Sequence, residues 1–140
     1  MVRRGSGRAL AGIAALCAAV GGIGAAVPTA LSTVRVDSAA AGPEGRTATV
    51  SYTYRCAPEE RAVSLAVRVV DRTTGAASPL TRLREPQGCD GDSHTRATEV
   101  TASGAEEGFH AGDGVVVRVL MNGTGNSVMS VAASRAMVLR

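Results

Sequence analysis

The stretch "TATVSYTYRC", residues 47–56, decides the fold class. Ala48, Val50, Tyr52, Tyr54 and Cys56 alternate with Thr47, Thr49, Ser51, Thr53 and Arg55. Successive side chains of an extended chain point to opposite faces. Ten residues of strict alternation, rich in β-branched and aromatic types, therefore predict a half-buried strand. The same period recurs in 63–70, "VSLAVRVV", where Val63, Leu65, Val67 and Val69 share a face. It recurs again in 115–121, "VVVRVLM", with Val115, Val117, Val119 and Met121.

Shorter strand candidates lie at 33–37, 80–84, 94–102 and 128–139. The last carries apolar residues at both parities, which leaves its buried face open. Turn signals separate the runs: Ala-Gly-Pro-Glu-Gly at 41–45, Thr-Thr-Gly at 73–75, Ser78-Pro79, Asp90-Gly91, Gly112-Asp113-Gly114 and Asn122-Gly123. No segment combines a helical period with caps, and neither heptads nor repeats occur. Seven short strands between turns predict an all-β fold, an antiparallel immunoglobulin-like sandwich. A small β-barrel is the alternative.

The first thirty-odd residues read differently. Arg3, Arg4 and Arg8 precede "ALAGIAALCAAVGGIGAAV" (9–27), an uncharged run closed by Pro28. That is the layout of a cleaved secretory signal peptide, assigned to 1–32. Ala and Gly dominate the run and strong membrane-insertion drivers are few, which argues against a retained anchor. Small-x-small sites place cleavage after Ser32 or after Ala41. Arg3-Arg4 lack the flanking residues of a twin-arginine signal. Cys17 follows Leu16, where a lipoprotein site needs a small residue. The expected product is a single secreted domain, 33–140, at an extracellular location.

Removal of the leader changes the charge balance. The chain has 15 basic residues, all arginine, and 12 acidic ones. Three arginines and no acidic residue lie within 1–32, which leaves twelve of each and no net formal charge. A nucleic-acid partner loses its electrostatic basis in this balance.

Cysteine usage agrees with export. Cys56 and Cys89 remain beyond the leader, a pair with one connectivity in an oxidising compartment. In the immunoglobulin arrangement the strand ending at Cys56 neighbours the strand that begins just after Cys89, so the two meet within disulfide reach. Tyr52, Tyr54 and Phe109 are the only aromatics. A core of Val, Leu and Ala with so few rings buries less area per residue, and closing the loop adds about 4 kcal/mol.

Tyr54-Arg55-Cys56, Cys89-Asp90-Gly91, His94-Thr95 and Phe109-x-Ala111-Gly112 ahead of the Val-rich strand resemble, in order and spacing, a group of small secreted actinobacterial proteins. That group carries an immunoglobulin-like domain of unknown function. The resemblance covers most of 33–140, with Arg96 where an aromatic is expected. It implies a secreted single domain with one disulfide, and neither an activity nor a catalytic residue.

The candidate chemistry gathers at one end. The loops 57–62 ("APEERA"), 85–93 (containing "CDGDS") and 122–127 ("NGTGNS") are expected to share a tip with Glu59, Glu60, Asp90, Asp92, Asn122 and Asn126. Such oxygens suit a weakly held Ca²⁺. Yet Asp-Gly is an ordinary turn pair, and one Asp-x-Asp falls short of an EF-hand. His94 lacks the companions zinc requires, since His110 is the only other histidine. No Gly-x-Ser-x-Gly elbow is present, and Glu59-Glu60 and Glu106-Glu107 point apart on an extended chain. Asn122-Gly123-Thr124 reads as a hairpin turn rather than a glycosylation site.

The expected function is thus a non-catalytic binding or interaction module. It would use that tip or an exposed sheet edge, with no catalytic residue, metal or cofactor. The expected partner is a protein or cell-surface ligand, with no nucleic acid, and no membrane after leader cleavage. A secreted protease inhibitor and a weak Ca²⁺-binding surface domain are the alternatives.

Overall fold

A computed structural model describes residues 31–104 and 108–140. The leader read at 1–32 lies outside them except for its last two residues, and Glu106-Glu107 lies outside them entirely. Among the described residues eight strands form: β1 (Thr33–Ala41), β2 (Thr47–Arg55), β3 (Ala62–Asp71), β4 (Thr81–Arg82), β5 (Gln87–Gly88), β6 (Ser93–Thr101), β7 (Gly114–Gly123) and β8 (Ser130–Val138). One sheet has the order β1-β2-β6. The other has the order β4-β3-β7-β8, with β5 also on β3. Every strand pairing is antiparallel. The two sheets pack as a sandwich consistent with an immunoglobulin-like fold, and they do not close into a barrel.

The alternating rows meet in the middle as the pleat requires. Ala48, Val50, Tyr52 and Tyr54 of β2 face Val63, Leu65, Val67 and Val69 of β3 and Val115, Val117, Val119 and Met121 of β7, all buried. Phe109, from the connection between β6 and β7, completes the core. The buried Tyr52 hydroxyl needs a partner and finds Thr98 Oγ1 at 2.9 Å. Burial pushes the Tyr52 phenol above its ordinary pKa, although the bond to Thr98 works in the other direction.

Two expectations need correction, and the face left open for the last strand is settled. The first strand extends past 37 to Ala41, because a bulge at Asp37, between Val36 and Ser38, lets the pairing with β2 resume. Segment 80–84 contributes only Thr81–Arg82, and it joins β3 with β5 instead of forming a full strand. Pro79 and Pro86 bracket it, and neither can donate to a ladder. Strand β8 turns Val131, Ala133 and Met137 toward the core, followed by the buried Leu139. Arg135 falls in the same row. Its guanidinium leaves the core and donates from Nη1 to the carbonyls of Val36 and Asp37, both at 3.1 Å. The Asp37 carboxylate accepts from Thr53 Oγ1 at 2.6 Å and Arg35 Nε at 2.7 Å. Burial raises its pKa, but these bonds outweigh burial and hold it below the ordinary value.

Candidate functional site at the crossover end

Strand register brings three connections to one end. β2 ends at Arg55, opposite Ser93 at the start of β6. β3 starts at Ala62, beside Gly88 of β5, and Val63 lies opposite Gly123 at the end of β7. Residues 56–61, 89–92 and 124–129 therefore share a tip, as the loop order implied. "CDGDS" is the segment that crosses from β5 in one sheet to β6 in the other.

The Cys56–Cys89 disulfide forms, with Cα atoms 5.1 Å apart. The expected meeting of adjacent strand ends describes it only partly. Cys56 directly follows β2, but Cys89 follows β5, and its N–H donates to the Arg61 carbonyl at 2.9 Å. The bond thus ties the middle strand of one sheet to the edge of the other. Gly91 N–H donates to the Cys56 carbonyl at 3.1 Å, and Arg55 Nε donates to the Gly91 carbonyl.

Within the crossover, Asp90 Oδ1 accepts the Asp92 N–H at 2.9 Å, and Gly91 supplies the φ of 85° that this tight turn needs. Both Asp90 oxygens also meet His94 Nε2, at 2.8 and 2.9 Å. The His94 bond is the main reason that the Asp90 carboxyl lies below its ordinary pKa. The His94 ring packs 5.5 Å from the buried Tyr54 ring. The Asp-x-Asp stretch is therefore a turn clamped to the first residues of β6.

Glu60 accepts a hydrogen bond from Ser127 Oγ, and Thr124 Oγ1 donates to the Ala62 carbonyl at 3.1 Å. Between these loops lies a cleft of about 650 Å³, lined by Glu59, Glu60, Arg61, Thr124, Asn126 and Ser127 among others. Arg61 holds φ 62° and ψ −53°, the only positive φ at a described residue other than glycine. That conformation is strained for a residue with a β-carbon. Beside the cleft, Val128 is 98% exposed.

Most of the expected residues share this end, but they do not converge on one point. The Asp90 carboxylate is engaged by His94, and Glu60 by Ser127. Among the described residues, no three His, Cys, Asp or Glu side chains lie close enough together to hold a metal ion. Asn122 belongs to β7, where its Oδ1 accepts from Ser130 Oγ at 2.8 Å. The Asn-Gly pair is not the turn. Gly123 is still in β7 and donates to the Met129 carbonyl, and the reversal falls at 124–127 with Gly125 at φ 64°. Gly123 is needed for close approach, since a β-carbon there would collide with Ser127 Oγ. His110 lies with Asp113 in the turn before β7, at the other end of the strands from His94. Among the described residues, no side-chain hydroxyl is hydrogen-bonded to either histidine.

Sequence reasoning missed Arg61, Ser127 and Val128. Nothing in "PEERA" marks a positive φ. Val128 beside Met129 reads as the start of a strand, and only the late onset of β8 at Ser130 leaves it outside. No family model matches the chain, and no curated protein or solved structure matches it either.

Proposed function

We propose that this chain is a secreted, non-catalytic binding module whose partner, a protein or a cell-surface ligand, docks on the crossover end. The observation that carries the reading is Val128, an apolar side chain left almost fully in solvent beside a cleft braced on both walls. An exposed apolar group on a positioned loop is the kind of anchor that a partner buries. The disulfide and the leader-like 1–32 suit an oxidising destination.

Tagged protein with Val128 or Val128→Glu is incubated with culture medium, and the retained material is identified by mass spectrometry. The reading requires a species captured by the unaltered protein and lost with Val128→Glu at equal folding. Identical capture by both removes the tip as the docking site. One observation favours a second reading, a protease inhibitor. Flanking Val128, Ser127 Oγ accepts the Met129 N–H at 3.2 Å, and Met129 accepts from Gly123. The exposed residue thus sits on a restrained, substrate-like bow. Failure to inhibit subtilisin-type proteases at micromolar protein ends that reading.

A further inference from the structure

We infer that the outer face of the β4-β3-β7-β8 sheet is a docking surface for an acidic polypeptide. Antiparallel Cα partners share a face, so the register gives its layout. One row is Arg82–Ala66–Leu120–Ala132. The next is Arg68–Arg118–Ser134, and the third is Val70–Val116–Ala136. Arg72 follows β3 and donates its N–H to the Gly114 carbonyl at 2.8 Å, which prolongs the ladder beyond the third row. All four arginines are exposed.

Two observations single this face out. Arg68 and Arg118 stand directly opposite each other, an arrangement that costs stability when no counter-charge is present. Among the described residues, none of the four arginines has an ion pair or a side-chain hydrogen bond. The face also holds no described carboxylate. Glu99 is on the other sheet, Asp37 is in the β1 bulge, Asp71 is buried, and the rest occupy connections. Acidic and basic residues are equal in number past residue 32, so this positive face arises by segregation and not from excess charge.

The rows define the ligand. Arginine forks bind carboxylates in bidentate fashion. The arginine pair lies between two rows of apolar side chains, which include the half-buried Val70, Val116 and Leu120. A chain carrying carboxylates and apolar groups together uses both features. A phosphate or sulfate polymer uses only the guanidinium groups. This face is separate from the crossover end, so the inference stands or falls independently of the proposed function.

The test titrates a short labelled peptide of glutamate alternating with alanine or leucine into the purified protein, read by anisotropy and by amide chemical shifts. Binding is expected at about 50 mM salt, with shifts confined to 64–72, 81–82, 116–122 and 130–136, and weakening at about 200 mM. Arg68→Ser with Arg118→Ser is expected to weaken binding about tenfold or more without lowering the melting temperature. Val128→Glu is expected to leave it unchanged. Shifts located elsewhere, no binding at low salt, equal binding by the double variant, or a stronger preference for inorganic polyphosphate would each overturn the inference. The shift map needs no variant, so the test survives any loss of folding.

Discussion

Replacing Cys56 and Cys89 together by alanine tests the physical premise beneath the fold. The bond closes a loop with a sequence separation of 33 residues. Restricting the unfolded chain over that length stabilises the native state by about 4 kcal/mol in the chain-entropy model. A domain of this size has roughly 5–15 kcal/mol in all, so the loss is a large fraction of the total. At about 4 °C per kcal/mol for a chain of about 100 residues, the melting temperature is expected to fall by about 16 °C. The polar ties of the tip, from Gly91 to Cys56 and from Cys89 to Arg61, involve backbone atoms and survive the substitution in principle. Without the covalent brace these bonds open more readily, so loss of hydrogen-exchange protection is expected at 57–61 and 89–92 before β2, β3 or β7 responds. Thermal and urea unfolding of the oxidised protein and the double variant, with residue-level exchange, measure both effects. A melting temperature within about 5 °C of the oxidised protein refutes the reasoning, because it means that a core with three rings is sufficient without a covalent tie.

Three further outcomes are expected. Arg61→Gly relieves the positive φ and raises stability by about 1 kcal/mol, about 4 °C in thermal melts, whereas Arg61→Ala gives no gain. Asp37 and Asp90 both lie below their ordinary value of 3.8, so their bonds contribute stability that is present above that pH and lost as pH falls from it through the folded values. Melting temperatures between pH 5 and pH 2 are expected to fall less steeply in Asp90→Asn than in the unaltered protein. Of the two leader sites, cleavage after Ala41 would remove β1 with the buried Val36 and Ala39. A chain starting at Thr33 is expected to fold, one starting at Gly42 to aggregate, and the intact mass of exported protein to correspond to Thr33.

The sequence made the pleated centre legible because period two is set by geometry and not by neighbours. The buried rows of β2, β3 and β7 fall on the residues that alternation marks. The cysteine pairing was legible from the reading that sets Cys17 apart within 1–32 and leaves two others. What lay outside the pattern depends on tertiary context. β8 is an edge strand whose Ala132, Ser134 and Ala136 lie on the outer face, so two of these three can be apolar without being inside. β5 is two residues long and exists only because Gln87 and Gly88 meet Val63 and Ala62 of β3. At the tip, loop order revealed which segments converge, but not that His94 would occupy the Asp90 carboxylate. Asn122-Gly123 misled for a related reason. A strong turn pair was overridden by β7 pairing through Gly123 and by the close approach of Ser127.

The two ends of the sandwich are secured by different means, and this bears on where recognition can reside. At the end opposite the crossover, main-chain bonds from Phe109 to Gly45, from Leu139 to Asp113 and between Ala41 and Arg140 draw the last residues into the sheets. They bring Phe109 and Leu139 into the core, so apolar side chains there serve folding. At the crossover end, the fastening is a disulfide, an Asp90–His94 clamp and a Ser127–Glu60 bond. None of these needs an apolar side chain from the loops. Val128 can therefore stay in solvent without weakening the closure, and a partner that covers it gains burial without displacing any existing contact. In a small domain with few rings, polar and covalent fastening is what leaves an apolar residue available at a fixed position.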